Sequence, residues 1–164
     1  MDGQNSVMFS KKGDEWETPQ SLYDKLDSEF CFTMDGAANK DNFKHPCYCK
    51  DALNHRWGSV TYVNPPYSKI GAFVKKAYEE SLLGSIVVVL IPARTDTKYF
   101  HNYCMKASKI RFISGRLKFS NRTLPSWNPE GNFKMSSAPF PSIVVVFDES
   151  KRGAFPIVES MEWK

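Results

Sequence analysis

Asn64, Pro65, Pro66 and Tyr67 stand in a row at the end of a strand-like run, Thr61-Tyr62-Val63. Each proline fixes its own backbone angle, lacks an amide hydrogen and restricts the residue before it, so the pair forms a stiff segment that joins no ladder. On that frame a carboxamide, free carbonyls and a flat ring are preset. A rigid loop leaving a strand is the plain alternative. The set as a whole suits a demanding reaction: attaching a methyl group to an aryl amine whose lone pair is delocalised into its ring. Two acceptors, one for each N–H, draw that nitrogen towards a pyramidal geometry with its lone pair exposed. The Asn64 side-chain oxygen and the Pro65 carbonyl are the candidates. The Tyr67 ring offers a face on which a base can stack, worth about 1–3 kcal/mol. A methyl donor activated as a sulfonium brings its own reactivity, so the protein supplies orientation and desolvation, and no covalent nucleophile.

The elements that must position these residues can be read from the apolar spacing. Thr18-Pro19 predicts a helix start with Thr18 as N-cap. Leu22, Leu26 and Phe30, with Tyr23 beside them, mark its buried face. CFTMD is a short strand ending at Asp35, and GSVTYV a second strand running into the prolines. GAFVKKAYEESLL is an amphipathic helix with Phe73, Ala77 and Leu82 inward. SIVVVLIP is continuously apolar, as expected of a central parallel strand covered on both faces. TDTKYFHNYCMKAS predicts one helix, KIRFI and RLKF strands either side of a Ser114-Gly115 turn, and SIVVVF a last strand. Strand alternating with helix, then strands alone, indicates an α/β fold: a mostly parallel sheet with an antiparallel edge.

Open α/β sheets bind ligands at the carboxyl ends of their strands. Three polar clusters fall there: Asp35 after the first strand, residues 64–67 after the second, and Arg94 with Asp96 after the third. Each taken singly has a structural explanation, as a turn cap, a core ring or a local ion pair. Their convergence on one sheet edge points to a site, with Arg94 and Asp96 at its mouth.

The net charge of +4 is compatible with a polyanionic partner without requiring one. Its distribution says more, because Lys109, Arg111, Arg116, Lys118 and Arg122 fall within fourteen residues. A long Pro-, Asn- and Ser-rich loop follows at 120–141, carrying Trp127 and Phe133. A loop of that length in so short a chain is expected to be functional. The four cysteines yield no metal site: His45, Cys47, Cys49 and His55 are close, but Cys-x-Cys is not a zinc spacing. No apolar run is long enough to span a membrane and the N-terminus lacks an apolar signal core, which predicts an intracellular protein with no disulfide.

NPPY after a strand resembles motif IV of the amino-methyltransferases that use S-adenosylmethionine. The wider pattern is similar to the phage and prophage DNA adenine methyltransferase family (Dam-type). It comprises DEWETP, FTMDGAA, RWGSVTYVNPPYS, VVVLIPARTDTKYFH, IRFISGRLKF and APFPSIVVVF, in order from about residue 14 to 147. The resemblance implies a Rossmann-like fold and methyl transfer to the exocyclic amino group of adenine in double-stranded DNA, with base flipping, in the cytoplasm of a bacterial or phage-infected cell. It implies Asn64, Pro65, Pro66 and Tyr67 as the catalytic motif. It also places Thr18 and Pro19 beside the donor's methionine part, and Asp35, Gly36 and Ala37 in the donor-binding loop.

The chain departs from that pattern in two respects. DGAA is not a glycine-rich loop. Only residues 36–63 separate Asp35 from Asn64, where two further strands and two helices of a full methyltransferase need on the order of 50 residues. The fold is therefore expected to be abbreviated, with the acid for the donor ribose coming from Asp41, Asp51 or nowhere; Asp51 is the choice because Leu53 and Trp57 can anchor its loop. Residues 1–13 read as a polar arm, 14–148 as one methyltransferase domain and 149–164 as a tail. DNA recognition is expected in 115–141 through Arg116, Lys118 and Arg122, joined by Arg94 and Asp96. The chain is expected to act as a monomer or weak dimer. Transfer to another acceptor, a glutamine amide or the cytosine amino group, and a catalytically silent DNA-binding module are the alternatives.

Overall fold

The computed structural model describes residues 16–119 and 136–164. In chain order it contains α1 (Gln20–Phe30), β1 (Met34–Asp35), β2 (Val60–Val63), α2 (Ile70–Leu82), β3 (Ile86–Pro92) and α3 (Lys98–Asn102). There follow β4 (Lys109–Ile113), β5 (Lys118–Phe119), β6 (Ser136–Ser137), β7 (Ser142–Phe147) and β8 (Ile157–Met161). Six strands form one sheet in the order β1-β2-β3-β7-β4-β8. β1, β2 and β3 are mutually parallel, β7 runs antiparallel to both β3 and β4, and β8 runs parallel to β4. The sheet is thus a mostly parallel, Rossmann-like one whose antiparallel component, β7, lies inside it. Among the described residues no helix is long and apolar enough to cross a membrane.

The apolar runs of β3 and β7 sort their side chains by parity onto two cores. Val87, Val89 and Ile91 of β3 join Ile143, Val145 and Phe147 of β7 beneath α2. Val88, Leu90, Val144 and Val146 face Leu22, Tyr23 and Leu26 of α1. Phe30, expected on the buried face of α1, is only partly buried, with the Arg111 guanidinium 5.7 Å from its ring centre. On α2 the buried stripe runs Ile70, Phe73, Val74, Ala77, Glu80 and Ser81, which leaves Leu82 half exposed. That spacing of three and four residues passes Leu82 by. The Glu80 carboxylate is buried in its place, held by Lys76 at 2.6 Å and Arg56 at 3.5 Å.

Three other sequence expectations are corrected. The helix after β3 stops at Asn102, and a 3-10 turn at Cys104–Lys106 buries Cys104 and returns the chain to β4. Burial pushes the Cys104 thiol up to about 12, which keeps it protonated. β4 and β5 do not form a hairpin, because both neighbours of β4 are already taken by β7 and β8. β5 instead leaves through Gly115, at φ 75°, and pairs with β6 in a separate two-stranded sheet. Residues 149–164, read as a tail, carry β8 and bury Met161 and Trp163 in the α1 core.

Lys109 and Arg111, counted among the basic residues of the 109–122 cluster, are structural. Arg111 is buried and makes two 2.6 Å bonds to Glu29 of α1 and one of 2.5 Å to Glu159 of β8. Lys109 adds an ion pair to Glu159 at 3.2 Å. The hydrogen bonds from Arg111 hold both carboxyls below their ordinary range. With folded pKa values depressed, this network stabilises the fold above the ordinary carboxylate range and is lost as pH falls through the lowered values. Both carboxylates are partly exposed, so we expect Arg111→Met to cost about 1–2 kcal/mol at neutral pH, short of a fully buried pair. Urea unfolding of both proteins at pH 7 and pH 3 checks this, the difference shrinking at the lower pH.

Candidate active site

β2 ends at Val63 under α2, and the chain leaves the sheet through the proline pair. The Pro66 carbonyl accepts from Lys69 N at 2.9 Å, closing a 3-10 turn at Tyr67–Lys69 that runs directly into α2. Asn64 is thereby clamped between a strand and a helix. Its Nδ2 donates to the Trp16 carbonyl at 2.8 Å and to Thr18 Oγ1 at 3.0 Å. A backbone carbonyl can only accept, so the amide nitrogen must face Trp16. Oδ1 is left as the amide's acceptor, and Asn64 is among the residues that line a cleft.

The cleft has a volume of about 340 Å³ and lies at the carboxyl ends of β1 and β2. Ala37, Asn39 and Asn42 form one wall, residues 49–53 another, and Asn64, Pro65 and Pro66 a third, with Trp16 and Phe73 as apolar surfaces. Asp51 also lines the cleft, its two oxygens accepting from Asn54 Nδ2 at 2.9 and 3.0 Å. Its loop is pinned by Trp57, whose indole N–H donates to Ala52 O at 2.7 Å and whose ring stacks on Phe73 at 6.4 Å. Leu53 packs against the α2 core. The anchors expected for the Asp51 loop are both in place.

Tyr67 is not among the residues lining the cleft and packs in an aromatic cluster. Its ring stacks on Trp16 at 6.2 Å and meets Phe140 edge-on at 5.3 Å, and Trp16 meets Phe119 at 5.9 Å. Burial raises the Tyr67 phenol well above its ordinary value, opposed by the charge of Arg94. Burial likewise raises the Tyr99 phenol, with the Thr97 hydrogen bond and the charge of Arg94 opposing, and neither Arg94 nor Asp96 is among the residues lining the cleft. Trp16, Tyr62 and Phe140 were not singled out from the sequence. The available signal was an aromatic two residues before Thr18 and another two before Asn64.

Residues 5–162 match the family described as DNA N-6-adenine-methyltransferase (Dam). The chain belongs to this family. A DNA N-6-adenine-methyltransferase of Escherichia phage T1 is 31% identical over 110 residues, which are 63% of this chain and 46% of that protein. A second, of Haemophilus phage HP1 (strain HP1c1), is 28% identical over 148 residues, 85% of this chain and 82% of that protein. The matched chain thus spans about half the length of the first relative and most of the second.

In this Dam-family chain the loop after β1 is built as packing. Asp35 is buried and accepts from the backbone N–H of Ala37 at 3.1 Å and of Lys44 at 2.9 Å. Desolvation raises its pKa, with those two bonds opposing. Lys44 also reaches Gln20 at 3.0 Å and Glu17 at 3.3 Å, tying the loop to the segment before α1. Of Asp35, Gly36 and Ala37, only Ala37 lines the cleft. Pro19 is the N-cap of α1, and Thr18 makes no cap bond because its hydroxyl faces Asn64 and Tyr62. Arg116 and Lys118 are exposed, alternating with buried Leu117 and Phe119, so Phe119 anchors their strand to Trp16. Arg122, Trp127 and Phe133 lie outside the described residues. His45 Nδ1 accepts from Cys47 N and His55 Nδ1 donates to Asp51 O; among the described residues no group of three or more potential metal ligands occurs.

A Cβ on Gly36 would lie 2.9 Å from Thr61 Cγ2 and 3.1 Å from Val63 Cγ2. We expect Gly36→Ala to destabilise the fold by about 1–3 kcal/mol through overpacking of β2. Thermal unfolding with a paired Gly36→Ala/Thr61→Ser variant checks the cause, since shortening Thr61 removes the nearest clash.

Proposed function

We propose that the protein methylates the exocyclic amino group of adenine in double-stranded DNA, with S-adenosylmethionine as donor and the target base flipped out of the duplex. The observation that carries this is the Asn64 carboxamide, held nitrogen-inward by Trp16 and Thr18 with its oxygen left for a substrate N–H. The cleft is of a size to take the donor, and its lining includes an acid, Asp51, a carboxamide, Asn64, and the apolar side chains Phe73 and Trp16. A carboxylate has about four acceptor positions, so Asp51 can serve ribose hydroxyls while keeping Asn54. The donor, when bound, supplies a methyl group activated by its sulfonium.

The chain's own residues prepare the nitrogen. Asn64 Oδ1 and the Pro65 carbonyl accept its two hydrogens, which frees the lone pair for attack along the cleft. As the new bond forms the nitrogen becomes cationic, and both acceptors bind its hydrogens more tightly, so their contribution is largest in the transition state. The amine then loses one proton to solvent. Tyr67 is not the base, because its raised pKa keeps the phenol protonated. Its ring serves as a stacking surface, rigid because Trp16 and Phe140 hold it.

Nucleoside analysis of treated DNA tests this reading, with N6-methyladenine the expected product. Asn64→Ala should lose at least about 100-fold in rate while DNA and donor binding persist. Product on another base, or activity within about tenfold of wild type, overturns the assignment.

Sequence selection belongs to the segment from Gly115 to Pro141, whose described base presents Arg116 and Lys118 to solvent. Where either meets a phosphate, replacement by Gln should weaken binding to every sequence and reduce the salt slope by about 0.9. Where it reads a base, discrimination at one position should relax with the slope held. Binding to matched and mismatched duplexes at two salt concentrations separates the cases.

A further inference from the structure

We propose that Thr18, pinned by Tyr62, is a positioning residue that holds the Asn64 carboxamide one way round and so sets the rate of transfer through Asn64. This rests on the reading of Asn64 as the acceptor for the reacting amine. A carboxamide has two ends of nearly equal size and opposite polarity. Presented nitrogen-first, it would aim hydrogens at the hydrogens of the amine, or donate to the lone pair that must attack. The proline pair fixes the backbone after Asn64 and leaves both side-chain torsions open. The Trp16 carbonyl, at 2.8 Å, selects the correct end but lets the amide swing about a single bond. A second bond from the same nitrogen, 3.0 Å to Thr18 Oγ1, fixes the plane.

A hydroxyl is a poor selector unless it is itself constrained, because it donates as readily as it accepts and rotates about χ1. Three features remove that freedom. Pro19 restricts the backbone of Thr18 to extended conformations. Thr18 is buried, and its Oγ1 lies 2.6 Å from the Tyr62 hydroxyl. The Tyr62 ring is fully enclosed, with Tyr23 edge-on at 5.2 Å and Phe32 tilted at 5.3 Å. The hydroxyl that would be expected to cap α1 is thereby recruited to the carboxamide. Tyr62 lies on β2, two residues before Asn64 and one before the strand ends, and its ring packs in the α1 core, from which its hydroxyl reaches the segment that holds Asn64.

The test compares wild type, Thr18→Val, Thr18→Ser and Tyr62→Phe in single-turnover transfer at saturating donor and DNA. Binding titrations of both ligands run beside it. Hydrogen exchange of the Asn64 side-chain amide is followed by NMR in the free protein. Thr18→Val, isosteric but unable to hydrogen-bond, should lose about tenfold or more in rate at saturating donor and DNA, the titrations setting the concentrations that saturate each variant. Thr18→Ser should recover most of the rate, and Tyr62→Phe should fall between. Asn64 amide exchange should rise in the Val variant and not in the Ser variant. A Val variant at wild-type rate, equal losses in Val and Ser, or unchanged exchange in Val overturns the proposal. If Thr18→Val folds poorly, Tyr62→Phe carries the same comparison, and wild-type rate and exchange there overturn it. Transfer by the wild type to a base other than adenine defeats the substrate reading alone, since the exchange result and the variant ratios decide positioning on whichever amine is methylated.

Discussion

Asn64 Nδ2 has two hydrogens, and one short segment ahead of α1 accepts both. That pair of bonds joins the end of β2 to residues 46 and 48 positions earlier in the chain, and most of the architecture exists to make the junction stiff. α1 must lie flat on the sheet for Trp16 and Thr18 to reach Asn64, and Leu22 and Leu26 bury it there against Tyr62, Val88 and Val144. Arg111 then ties the far end of the same helix to β4 and β8 through Glu29 and Glu159. The site is thus referenced to the sheet at both ends of one helix.

The abbreviated half of the molecule reaches a similar stiffness by other means. β1 is two residues long, and the chain between Asp35 and Val60 adds only isolated bridges to it, at Tyr48 and between Asn39 and Asn42. A buried carboxylate and a buried indole take the place of the missing strands. Asp35 gathers two backbone amides of the loop, and Trp57 fastens the second half of it onto Phe73 of α2. Both are local anchors, which explains how a loop without regular structure can form two walls of a cleft.

Much of the frame was legible because it follows from parity and period. The runs at β3 and β7, the Phe73–Ala77 stripe and the strand ending in two prolines announce themselves by apolar spacing and proline chemistry. The pairing of β4 was not legible, since whether KIRFI meets RLKF or a distant strand depends on which edges are free, and that is settled by the whole sheet. Lys109 and Arg111 looked like part of a surface stripe because a charge run does not reveal the distant carboxylates, Glu29 and Glu159, that pair with them. Thr18 illustrates the same limit in the site itself. A Thr-Pro pair before an amphipathic run satisfies every local criterion for a cap, yet the hydroxyl answers to a tertiary partner on β2.

The small β5–β6 pair is hydrogen-bonded to itself and not to any strand of the main sheet. It is seated on the body through Leu117 and Phe119, and it is flanked by Gly115 on one side and Pro139 and Pro141 on the other. Insertions or replacements in the chain between its two strands therefore leave the register of the six-stranded sheet untouched. A change of length or composition in that interval is therefore separated from the Asn64 junction, which the main sheet and α1 hold.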